Sequence, residues 1–131
     1  MSLNSKEKQS LYELVFIVRQ DVSSQDIDKV SENLIRIINS YDGSIIKKEY
    51  WGLRSLAYAI NKNNKGHYVL MGFNASPPCL KELDRRMKLD ENIIRHALVT
   101  VEKIDPSIPS PILRSFEVSS VPVINVTTEA N

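Results

Sequence analysis

Cysteine occurs once in 131 residues, as Cys79, so the chain can form no internal disulfide and a reducing compartment is its natural setting. No local signature around Cys79 and its neighbours Pro77 and Pro78 supports a nucleophile. Two histidines, His67 and His96, with that one cysteine make a poor metal set, so no metal is expected. Glycine is scarce at four residues, which leaves no Gly-rich loop to cradle a ligand. No apolar run reaches the roughly 18 residues that a membrane helix needs. The first ten residues are polar, carry both charge signs and lack the apolar core of a signal peptide. The net charge of +1 does not demand an anionic partner.

What is present reads as one modest domain, with 42% hydrophobic and 25% charged residues. Charge is unevenly placed. Residues 105–131 hold Asp105, Glu117 and Glu129 against Arg114, so the preceding part is mildly basic. Much of that basic charge falls between Ile45 and Phe73. Two arms rich in β-branched and aromatic residues flank a polar run that closes on Gly66, the pattern of a long β-hairpin with a loop of about five or six residues. Lys47, Lys48, Arg54, Lys62 and Lys65 lie there against one acid, Glu49, interleaved with Tyr50, Trp51, Tyr58 and Tyr68. Cations among aromatics suit a surface that touches phosphate and stacks on bases. The same pattern also suits an ordinary amphipathic edge, with lysines in solvent and aromatics in the core.

Residues 1–10 read as a flexible leader. A strand follows over 11–19, with Tyr12, Leu14, Phe16 and Val18 on one face and Glu13, Val15, Ile17 and Arg19 on the other. Ser23 or Ser24 caps a helix reaching Ser40, with Ile27, Val30, Leu34, Ile37 and Ile38 as its apolar stripe. Asp42-Gly43 ends it. In the first hairpin arm Ile45, Lys47, Glu49 and Trp51 are expected to share a face, and Gly52 marks a bulge or close approach. Ser76 and Pro77 open a second helix striped by Leu80, Leu83 and Met87, with Lys81, Arg85, Arg86 and Lys88 on its outer side. A last strand covers 93–103, where His96 fits a structural role. Three prolines among residues 106–111 forbid a regular element, so 105–131 is expected to be a Pro-rich, disordered tail.

Strand, helix, strand, strand, helix, strand is the ferredoxin-like α+β order, a four-stranded antiparallel sheet with two helices on one face. The face bearing Glu13, Val15, Ile17 and Arg19 is expected to stay open for a partner.

Four stretches carry a family resemblance. Strand one opens Tyr12-Glu13. The hairpin reads Trp51-Gly52-Leu53-Arg54-Ser55-Leu56-Ala57-Tyr58-Ala59-Ile60, close to W-G-x-R-x-L-A-Y-P-I. The return arm starts Gly66-His67-Tyr68. Leu89 to His96 reads L-D-E-N-I-I-R-H, close to L-D-E-x-V-L-R-H. In these the chain resembles the bacterial small-subunit ribosomal protein S6 family, over about 12–100. Ala59 replaces the usual proline, and Ser55 a commonly basic position. The resemblance implies a non-catalytic, cofactor-free, cytoplasmic component of the small ribosomal subunit. It implies binding to the central domain of 16S ribosomal RNA beside ribosomal protein S18. The residues expected to meet RNA are Lys47, Lys48, Arg54, Lys62, Lys65, Arg85, Arg86 and Arg95. Trp51 and Tyr58 are expected to stack or pack on a partner, with a core role equally open for Tyr58. The rival reading is a ferredoxin-like small-molecule regulatory module that binds no RNA. An acylphosphatase-type enzyme would need a glycine-bearing phosphate cradle that Arg19 to Ser23 does not supply. A generic RNA-recognition motif would need paired aromatics where Val15, Ile17, Val69 and Met71 stand.

Overall fold

The computed structural model describes residues 8–60 and 62–110, with Ala57 by its backbone alone. Most of the expected leader and the end of the expected tail, 111–131, lie outside the described residues. The elements are β1 (Ser10–Arg19), α1 (Ser24–Ser40), β2 (Ser44–Ile60), β3 (Asn63–Ala75), α2 (Pro77–Leu89) and β4 (Ile93–Val101). They form one antiparallel sheet in the order β2-β3-β1-β4, the ferredoxin-like arrangement expected.

Alternation along β1 divides the core in two. Leu14, Phe16 and Val18 meet Ile27, Val30, Leu34 and Ile38 of α1 and Cys79, Leu83 and Met87 of α2, so both helices cover one face. The Ser23 hydroxyl caps α1 by accepting from the Asp26 N–H at 3.2 Å. At its far end the left-handed position is taken by Asp42, with φ 63°. Gly43 serves a different need, because a Cβ there would lie 2.5 Å from the Asn74 carbonyl oxygen.

The other face is not open, contrary to expectation. Glu13, Val15 and Ile17 are each buried to within 3% exposure. Val15 and Ile17 belong to a second apolar cluster with Trp51, Tyr68, Leu70 and Ile94, against which Leu56 and Ile60 pack. The cause is the irregularity of β2. An extra residue at Ile46 turns Ile45 onto the helical side, opposite Phe73, and separates it from Lys47, Glu49 and Trp51. A second bulge sets Trp51 and Gly52 together near Tyr68, with Gly52 at φ 89° as its mid-strand position suggests. Beyond it, β2 advances from Ser55 to Ile60 while β3 retreats only from Lys65 to Asn63. The surplus length bends the arm over the sheet. Tyr58, on edge strand β2, thereby reaches Arg95 on the opposite edge strand, β4. The turn is also shorter than expected, because β3 resumes at Asn63.

The start of the expected tail closes the rest of that face. Ile104 packs over Gly72, and Ser110 is 2% exposed. The Ser110 hydroxyl donates to Glu13 Oε1 at 2.9 Å, and its N–H to Glu49 Oε2 at 3.0 Å. Residues 105–110 therefore belong with the domain.

Candidate nucleic-acid interface

At the hairpin end of the sheet stand Arg54, Lys62, Lys65 and Arg95, none of them in an ion pair among the described residues. Antiparallel pairing brings the end of β1, the far end of β2, the start of β3 and the start of β4 together there. Arg54 is paired through Gly66 with Arg19, in one row across three strands. Gly66 is required in that row, since a Cβ would lie 2.3 Å from Ile17 Cγ2. Arg95 stands opposite Ile17 on the next strand. Its guanidinium donates to the Tyr58 hydroxyl at 3.2 Å and lies 5.8 Å from the ring centre, within cation–π range. Arg54 Nε donates to the Trp51 carbonyl at 3.1 Å. Burial raises the Tyr68 phenol above its ordinary value, and the nearby charges of Arg54 and Arg95 pull it part of the way back. Lys62 and Lys65 are exposed at the turn, Lys62 with φ 68°.

The other sequence-predicted residues divide differently. Lys47 does not reach the surface, with a side chain 6% exposed. Its ammonium lies 3.3 Å from Glu49 and 3.9 Å from Glu13 and donates to the carbonyls of Asp105 and Ile108. Burial beside two carboxylates makes Lys47 a fold residue, which corrects its expected place on the RNA surface. Trp51 is corrected likewise. It is 8% exposed, packs in the second core and donates from Nε1 to Glu49 at 2.9 Å. Lys48 faces α1, 3.7 Å from Asp28.

Arg85 and Arg86 belong to the helical layer and do not join the hairpin group. Arg85 forks onto Glu82 at 2.7 and 2.9 Å, a contact that holds the Glu82 carboxyl below its usual range. Arg86 lines a surface groove of about 230 Å³ between α1 and α2, with Leu89 and Asn33. Arg19 was missed by the sequence reading. Its signal was the alternation of β1, which set it on the partner-facing side, but nothing local showed what would stand beside it.

His96 is buried, with Nε2 3.0 Å from Asp84. Burial would raise the Asp84 carboxyl, but hydrogen bonds from Lys88 and His96 outweigh it and hold it below its ordinary value. Burial also pushes the Cys79 thiol up to about 11, away from reactivity at neutral pH. Among the described residues no group of three His, Cys, Asp or Glu side chains could hold a metal. No helix there is long and apolar enough to cross a membrane.

Comparison with known proteins agrees with this architecture. The family model for ribosomal protein S6 matches residues 11–100. Small ribosomal subunit protein bS6 of Rickettsia bellii is 52% identical over 118 residues, 90% of this chain and 98% of that one. The protein of the same name from Rickettsia prowazekii is also 52% identical, over 90% of this chain and 97% of its own. Among solved structures, 30S ribosomal protein S6 from Thermotoga maritima superposes with a TM-score of 0.67 at 30% identity, covering 72% of this chain and 89% of that one. With nearly the whole described fold matched, the chain belongs to the ribosomal protein S6 family.

Proposed function

We propose that this chain binds the central domain of 16S ribosomal RNA, alongside ribosomal protein S18, and so supports assembly of the small ribosomal subunit. Its family is one of ribosomal structural proteins rather than enzymes, which makes it a cytoplasmic, ribosome-associated protein. The observation that carries the RNA reading is the hairpin end itself. Arg54, Lys62, Lys65 and Arg95 meet there with no carboxylate paired to any of them among the described residues. Phosphate contacts need uncompensated cations, and affinity rises with the number of phosphates neutralised. Lys48, Arg85 and Arg86 would add weaker contacts, the first two after leaving their carboxylates. Lys47 and Trp51 serve the fold instead. Tyr58, 60% exposed, offers a ring for stacking.

A low overall charge suits a protein that shares its RNA with a partner. With the sheet face closed, the partner's place passes to the outer edge of β2, where Tyr50 and Leu53 stand about half exposed. The test is sedimentation of a native lysate on a sucrose gradient, with and without ribonuclease. Co-migration with the small subunit that is lost on digestion is the expected result. A chain that stays at the top of the gradient even in low salt would overturn the proposal. Ligand-dependent dimerisation would then favour the regulatory-module reading.

A further inference from the structure

Three arginines at the hairpin end of the helix-free face share one condition. Each donates a hydrogen bond to a neutral acceptor: Arg19 to Asn92 Oδ1 at 3.0 Å, Arg54 to the Trp51 carbonyl, Arg95 to the Tyr58 hydroxyl. Among the described residues one carboxylate approaches the group, Asp21, 3.8 Å from Arg19 Nε and 71% exposed to water. Several cations elsewhere are matched with acids, as in Lys47 with Glu13 and Glu49, Arg85 with Glu82, and Lys88 with Asp84. The Nε atoms of Arg19 and Arg95 are buried and donate no hydrogen bond. Part of each guanidinium is thus withdrawn from water without an acceptor in exchange, which strengthens its pull on an anion.

The register places the three together. Arg54 and Arg19 flank Gly66, their backbones about 10 Å apart across two strand spacings. Arg95 lies opposite Ile17, two residues before Arg19 on the same face. Gly66 contributes no side chain between them, and the buried Ile17 side chain fills the space beside it, so the guanidiniums are the polar groups of the row. Guanidinium forks match the oxygens of a phosphate group. The exposed Tyr58 ring beside Arg95 is placed to carry a base attached to that phosphate.

We propose that Arg19, Arg54 and Arg95 form a phosphate-binding site at the hairpin end of the helix-free face, which takes a phosphodiester of bound RNA. It rests on the RNA-binding function proposed above and adds Arg19 to it. Free inorganic phosphate shares the chemistry and is the second source to test.

The experiment uses the full chain and a transcript of the 16S central domain, with binding measured against salt concentration. Arg19→Gln and Arg95→Gln should each weaken binding about tenfold or more and reduce the salt slope by about one. Melting temperature should hold within a few degrees, and Lys81→Gln, on the outer side of α2, should bind as wild type. Arg19→Lys keeps the charge without the fork and should fall between. If the wild type binds while both glutamine variants keep its affinity and slope, this site is refuted and the RNA-binding function stands. If the wild type binds no transcript even with S18 present, the RNA-binding function and the phosphodiester assignment fail together. Inorganic phosphate, followed by the arginine Nε–H resonances, then decides the anion chemistry. Saturable shifts of all three that vanish in Arg19→Gln support the site; a weak linear drift overturns it.

Discussion

The two ends of the helix-free sheet face handle charge in opposite ways. At one end Glu13, Lys47, Glu49 and Ser110 interlock beneath the segment after β4, and each charge has an opposite partner. At the other end Arg19, Arg54 and Arg95 spend their hydrogen bonds on neutral groups. A buried charge cluster holds only if it is satisfied from within, because losing one member strands the others without water. A cluster left in surplus of one sign sacrifices some stability by self-repulsion and keeps its capacity for an external anion. The same strands therefore carry a structural seal at one end and a receptive surface at the other.

The comparison breaks most sharply at Lys47. Lys47→Met should cost about 3–5 kcal/mol, because Glu13 and Glu49 remain buried without their cation. Urea unfolding measures this, and adding Glu13→Gln should recover part of the loss. Next comes Gly66→Ala, which drives a methyl into Ile17 and should cost about 1–3 kcal/mol in the same assay. Ser110→Ala should cost about 1–2 kcal/mol by leaving Glu13 short of a donor, and a chain ended after Ile104 should lose at least as much.

Asp84 gives a smaller, pH-dependent effect within the helical layer. Its carboxyl is held below the ordinary value of 3.8, so its ionised form favours the fold. That contribution is complete above 3.8 and disappears as pH falls through the lower folded value. The melting temperatures of wild type and Asp84→Asn should therefore differ near neutrality and converge in acid. Smallest is Arg54→Gln, which should change stability by under about 0.5 kcal/mol, since it removes one bond to a carbonyl at a surplus of positive charge. A large loss there would show that the hairpin end also serves the fold.

The order of elements was legible because long segments such as β1 and α1 keep their period without interruption. Faces were legible only up to the first bulge. Ile46 and Trp51 each add a residue that periodicity cannot see, and Ile45 consequently lies on the helical side. The closure of the second face was hidden for the same reason, since it depends on the surplus length between Ser55 and Ile60. Lys47 was misjudged because, besides the local Glu49, its burial depends on Glu13 and on the carbonyls of Asp105 and Ile108, which lie far from it in the chain. The cap at Ser110 was missed because a run of prolines rules out helix and strand but does not rule out packing. Arg54 and Arg95 were legible as cations, while their meeting with Arg19 exists only through the pairing of β1 with β3 and β4.

The bond from Ser110 to Glu13 spans 97 residues, which gives the seal a place in time as well as in space. Glu13 leaves the translating ribosome early, and its hydroxyl donor is synthesised on the order of 5–20 s later at ordinary elongation rates. Through that interval the nascent sheet has one end that its own chain cannot yet close. The covering of that end thus waits on the synthesis of every element from β1 to β4.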